Sequence, residues 1–200
     1  MRIKSTRGRG AVIENIRFDH WTMEDVPEAI NVTNYYTKSA EEPVSERTPI
    51  FRNIAISNMT INRSPAIINI EGLPEMPVSG LQISNIIATG RTGMKAYNTV
   101  GLELHNVQVN AERGPAFLVR DSKDLLLDQV STRTPVEGSP VIRLDRCSDA
   151  IVRASRAFVG TGVFLSAGPG ELKSITLEGN MLAKAQKSVV EAIGDFWKRP

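Results

Sequence analysis

The sequence predicts an all-β solenoid, a right-handed parallel β-helix of about seven coils with a short C-terminal cap, and three observations predict it. A short strand motif recurs along the chain with apolar residues two apart. A second short strand recurs inside each repeat, and turn-forming residues return at a fixed offset from the first. Amphipathic helical periodicity is missing until the final stretch of the chain, which excludes helical repeats.

The first strand of each unit reads Asn15-Ile16-Arg17-Phe18, Asn53-Ile54-Ala55-Ile56, Gly80-Leu81-Gln82-Ile83, Gly101-Leu102-Glu103-Leu104 and Asp124-Leu125-Leu126-Leu127. Weaker copies follow at Asp149-Ala150-Ile151-Val152 and Ser174-Ile175-Thr176-Leu177. Alternation puts both apolar side chains of each copy on one face. The first apolar positions are 16, 54, 81, 102, 125, 150 and 175, separated by 38, 27, 21, 23, 25 and 25 residues. A period in the twenties is that of stacked coils, each covering the apolar face of the last. The second strands are Ala29–Val32, Ala66–Ile70, Ala116–Val119, Val141–Leu144, Gly162–Leu165 and Val189–Ala192. Several strands per coil, without a regular leucine–asparagine frame, favour a β-helix over a leucine-rich repeat.

Asn58, Asn85 and Asn106 follow their strands at one offset, with His20, Gln129 and Gly179 at the matching sites. Asn and Gly tolerate left-handed backbone, so this position reads as a tight bend between sheets. The asparagines read as a structural ladder between coils rather than as ligands. The next residues, Trp21, Met59, Ile86, Val107 and Val130, are expected to turn back into the core. The long first interval contains an insertion, residues 35–48, expected to project as a loop. Residues 184–200 carry Phe196 and Trp197, expected to cap the last coil. The N-terminus enters directly on Arg2-Ile3-Lys4, and an uncovered first coil predicts a piece of a longer solenoid, or a homo-oligomer formed through that coil.

Composition narrows the function. Two hundred residues at 41% hydrophobic fit a single domain, 1–200, and 6% aromatics imply an aliphatic core. A net charge of +2 gives no case for nucleic acid. The single cysteine, Cys147, excludes an internal disulfide, and no Cys/His pattern for a metal and no cofactor motif occurs. No apolar run is long enough to span a membrane, and no signal peptide opens the chain as written, so a soluble, cytoplasmic protein is expected.

Arg2-Ile3-Lys4-Ser5 at the head of a coil, followed by Asn15-Ile16-Arg17-Phe18, Met23-Glu24-Asp25-Val26-Pro27-Glu28-Ala29-Ile30 and Val32-Thr33-Asn34-Tyr35-Tyr36, resembles the C-terminal half of glycoside hydrolase family 28, the polygalacturonases. That family is pectin-degrading and typically secreted or periplasmic. The resemblance implies that Arg2 and Lys4 bind the carboxylate of a galacturonate, Arg2 by a planar fork and Lys4 as a point charge. Both would face outward on either side of a buried Ile3. It further implies that a tyrosine shapes the cleft, Tyr36 before Tyr35, and that the partner is an acidic polysaccharide. Arg7 and Arg9 add positive potential at the same end.

The chain departs from the family in its chemistry. Inverting hydrolysis needs an acid and a base across the sugar, and the family's Asn-Thr-Asp, Asp-Asp and Gly-His-Gly motifs are all absent. No catalytic residue is therefore assigned. His20 and His105 read as structural, and Asp19, Glu24, Asp25 and Glu28 as surface carboxylates near the mouth. No nucleophile elbow, phosphate loop or zincin spacing points to other chemistry. The expectation is a polygalacturonase-like scaffold, inactive alone. The alternative is a carbohydrate-binding or self-assembling module.

Overall fold

The computed structural model describes residues 1–36 and 42–192; Phe196 and Trp197, with the cap expected of them, lie outside the described residues. Ten strands follow in order: β1 (Arg2–Lys4), β2 (Val12–Glu24), β3 (Glu28–Thr33), β4 (Ile50–Glu71), β5 (Val78–Tyr97), β6 (Thr99–Ser131), β7 (Pro140–Arg153), β8 (Val163–Ala167), β9 (Ile175–Glu178) and β10 (Lys187–Glu191). All pair in parallel, and the only helix among the described residues is one 3₁₀ turn, Glu171–Ser174. The long strands are continuous around bends, so the chain winds through about seven stacked coils. Each complete coil has three faces.

On the first face, Ile16 pairs with Ile54, Ile54 with Leu81 and Leu81 with Leu102; further up, Leu125 pairs with Ala150 and Ala150 with Ile175. These are the partners the repeat spacing predicts. Inside, Ile54, Ile56, Leu81, Ile83, Leu102, Leu104, Leu125 and Leu127 form a column at most 2% exposed. Burying each such side chain contributes about 1.5–3 kcal/mol.

The predicted bends carry left-handed backbone: φ is between 53° and 58° at His20, Asn58, Asn85, Asn106, Gln129 and Gly179. The asparagine amides link the coils, with Asn106 Nδ2 donating to Asn85 Oδ1 at 3.0 Å and Asn85 Nδ2 to Asn58 Oδ1 at 3.1 Å. Asn58 Nδ2 in turn donates to Asp19 at 2.8 Å. A second set of left-handed residues, Asn15, Asn53, Gly80, Gly101, Asp124 and Asp149, opens the first face. Each stands at the head of a repeat strand, so a bend precedes the first face as well as following it. Gly90 meets a different demand, because a Cβ there would lie 1.9 Å from the Ser64 carbonyl oxygen of the coil below.

After the bend, Met59, Ile86, Val107 and Val130 are at most 2% exposed, as expected of inward residues. Trp21 differs: it holds the same column, paired with Met59, yet is 43% exposed. Its strand pairs with β4, and among the described residues Phe18 meets its ring edge-on at 5.8 Å. Of the 35–48 insertion, the described part lies against the chain after β1, where Gly8 and Gly10 both donate backbone N–H bonds to the Arg47 carbonyl.

Candidate functional site

The third face starts at β1, whose three residues pair with β3 as Arg2 with Asn31, Ile3 with Val32 and Lys4 with Thr33. Alternation buries Ile3 and leaves Arg2 and Lys4 exposed, as the Arg-Ile-Lys pattern implies. The chain leaving β1 and the chain leaving β3 then meet. Ser5 donates to the Thr33 carbonyl, and Tyr36 N–H returns a bond to the Ser5 carbonyl at 3.1 Å. That clasp sets the Tyr36 ring under Lys4, with Nζ 3.9 Å from the ring centroid and the Arg9 guanidinium 5.2 Å from it. Each contact at such an open site contributes about 0.5–1 kcal/mol. Tyr35 is half-buried alongside, its backbone N–H held by the Thr33 hydroxyl at 3.0 Å.

Arg2 is on the same face but engaged. Its guanidinium meets Glu28 Oε2 at 2.6 Å, and Asn31 Nδ2 donates to that same oxygen at 2.8 Å. Arg7 is engaged too, through Nε and Nη2 with the Glu75 carboxylate at 2.7 and 3.1 Å, and it holds the Glu75 carboxyl below the usual carboxylate range. Lys4 and Arg9 thus present the cations of this corner that have no carboxylate partner among the described residues. Asn34, 1% exposed where the chain leaves β3, has both side-chain amide atoms without a hydrogen-bond partner among the described residues. Sequestering such a group costs about 1–3 kcal/mol.

The four carboxylates Asp19, Glu24, Asp25 and Glu28 form no cluster and are each held by neighbouring side chains. Asp19 ends the asparagine ladder and also accepts from Ser57, and these bonds, that of Asn58 foremost, lower its carboxyl from the ordinary value. Asp25 takes a two-pronged contact from Arg63, with Glu24 3.6 Å from the same guanidinium, and Glu28 serves Arg2. His20 stands 77% exposed at its bend. His105 lies between Glu103 at 2.9 Å and Asp128 at 3.4 Å, with Arg153 on the far side of Asp128. No group of three or more His, Cys, Asp or Glu side chains fit to hold a metal ion occurs among the described residues, nor does a helix long and apolar enough to cross a membrane.

Two features escaped the sequence reading. On the outer side of the third face Asp145 is clasped by Arg120 at 2.9 Å and Arg143 at 3.0 Å, all three side chains at most 14% exposed. Arg120 and Asp145 stand one coil apart, so the pair shows only after the coil register is assigned. The other is a groove on the corner above Tyr36, lined from three consecutive coils and by Pro74 and Pro77 of the turn below them. No periodicity marks it. Comparison with protein-family models, with curated proteins and with solved structures found no match to this chain.

Proposed function

We propose that this β-helix binds an acidic polysaccharide of the galacturonan type at the corner built by Lys4, Tyr36, Arg9 and Arg2, as a polygalacturonase-like scaffold that does not hydrolyse its ligand alone. One observation carries the reading: Lys4 Nζ stands 3.9 Å over the Tyr36 ring, from a residue far away in sequence. An exposed ammonium on an aromatic ring suits a uronate, whose carboxylate meets the charge while an apolar sugar face rests by the ring. Hydrolysis would require one carboxyl to protonate the leaving oxygen and another to activate water. Beside the corner, Glu28, Glu71 and Glu75 already accept bonds from Arg2, Thr33 and Arg7, and Glu42 pairs with Arg47.

Titration calorimetry with galacturonate oligomers tests the binding, and reducing-sugar release tests the chemistry. Saturable binding in the millimolar range, weakened about tenfold by Lys4→Ala or Tyr36→Ala, is expected, with no sugar released. Absence of binding at millimolar oligomer refutes the reading. Release of sugar by the wild type, lost in Lys4→Ala, would make the site catalytic.

A second reading, association through the first coil, is favoured by Trp21 at 43% exposure. Sedimentation at rising concentration tests it: a Trp21→Ser variant should lose any dimer the wild type forms, and a wild type that stays monomeric removes the idea.

A further inference from the structure

Successive coils leave the third face at Ser5, Asn34, Gly72, Asn98, Asp121 and Arg146, each stacked on the next by parallel pairing. Lys4 and Tyr36 flank the first two of these positions. The groove of about 380 Å³ lies further along the same corner, across the coils of Asn98, Asp121 and Arg146. Its volume is in the range of small-ligand sites. Four rung steps part Ser5 from Asp121, about 19 Å at ~4.8 Å per rung.

The groove's lining has a consistent chemistry. Pro74, Pro77 and Val100 supply flat apolar surface, while half-buried Ser148 brings a hydroxyl. Thr99 and Ser122 are at most 5% exposed and fixed to each other, Thr99 Oγ1 to Ser122 Oγ at 3.0 Å. Lys123 adds an exposed ammonium with no ion pair among the described residues. The nearby carboxylate of Asp121 is matched by Arg146 at 2.9 Å. Apolar plates, one reachable hydroxyl and one available cation fit a pyranose acid: ring face on the prolines, a ring hydroxyl on Ser148, carboxylate on Lys123, above a wall whose Thr99 and Ser122 hydroxyls are already satisfied within the fold. Nucleic acid fits less well, since no aromatic ring lines the groove to stack a base. Between the two places lies the 73–77 turn, whose one carboxylate, Glu75, is neutralised by Arg7. A polyanion laid along the corner therefore meets no uncompensated acid there.

We infer that the groove is a second contact for one linear polyuronate running along the helix axis from Lys4 and Tyr36 to Lys123. This rests on the uronate-binding reading above, and its test separates the two. Galacturonate dimer and an oligomer longer than the span are titrated into wild type, Lys123→Ala, Lys123→Glu and Lys4→Ala, with amide shifts followed by NMR. The long oligomer should bind wild type at least about tenfold tighter than the dimer, through linkage of two sites. In Lys123→Ala the long oligomer should lose that advantage, and Lys123→Glu should weaken it further. In Lys4→Ala it should still move the Ser122 and Lys123 amides. Equal affinity for short and long ligands, or unmoved groove amides, overturns the inference even if Lys4 binds uronate. Moved groove amides with no effect of Lys4→Ala would instead retain the groove and reject the Lys4 site. Silence from both ligands rejects both.

Discussion

Replacing Asn85 by alanine separates two roles of the ladder position. Asn85 holds φ at 54°, donates to Asn58 and accepts from Asn106. Alanine loses both bonds and also asparagine's own tolerance of left-handed backbone, about half of the 1–2 kcal/mol that the conformation costs a residue with a Cβ. Two solvent-facing hydrogen bonds at ~0.5 kcal/mol each, the low end of the usual range, add about 1 kcal/mol. The expected loss is therefore about 1.5–2 kcal/mol. Gly179 supplies the control: it has φ of 58° at the equivalent bend, and a Cβ built there meets nothing within 4 Å. Gly179→Ala should then show the conformational cost alone, about 1 kcal/mol after the smaller entropy of the unfolded chain is counted. Urea unfolding followed by circular dichroism reads both as midpoint shifts at constant slope. If Asn85→Ala costs no more than Gly179→Ala, the amide ladder contributes nothing, and the bend is held by backbone geometry alone.

Asp145→Asn should cost about 3 kcal/mol or more, because it leaves Arg120 and Arg143 buried without their shared anion; a melting temperature unchanged from wild type would contradict this. Asp128 has its carboxyl lowered first by Arg153 and then by His105. Its folded value lies below the unfolded one, so its contribution is complete above the unfolded carboxylate range near ~4 and fades as pH falls through the folded value. An NMR titration should show Asp128 ionising below that range in wild type and moving up in Arg153→Ala. The Cys147 thiol, 4% exposed, is pushed up to about 12, chiefly by burial. At about pH 8 it should react with a thiol reagent only as fast as the protein opens, and immediate labelling would show the stack is looser than described. Glu28→Gln should release Arg2 and tighten uronate binding by up to about fivefold, since an exposed pair is worth ~1 kcal/mol at most; weaker binding in calorimetry would mean that Glu28 positions Arg2 rather than competes for it.

The coil register was legible because it rests on period alone. Ile16, Ile54, Leu81 and Leu102 announce a shared column by spacing and alternation, and parallel pairing then leaves little choice of partner. The bend was legible for the same reason, asparagine recurring where φ must be positive. Trp21 shows the limit of that logic: the column was assigned correctly, but exposure depends on whether a rung lies on either side. The site divides in the same way. Outward Arg2 and Lys4 followed from alternation, and Tyr36 was placed ahead of Tyr35 by resemblance. Glu28 on Arg2 and Glu75 on Arg7 were not foreseen: Glu28 opens β3 three residues before Asn31, the strand partner of Arg2, and Glu75 comes from the 73–77 turn, so no repeat interval marks either pair. The groove was hidden because its walls come from three coils and from a turn outside the repeat.

The coils differ in length yet not in height. The chain spends 38 residues between Ile16 and Ile54 and 21 between Leu81 and Leu102, and each journey ends one strand spacing higher. Extra residues are taken up at the corners, as where Arg47 of the described 42–48 stretch meets Gly8 and Gly10, without lifting anything above them. The molecule therefore behaves as a graduated ruler whose marks are hydrogen-bonded rungs. Lengthening a turn would reshape one mark, whereas adding a whole coil would move every feature beyond it by one division and leave each of them facing the same way.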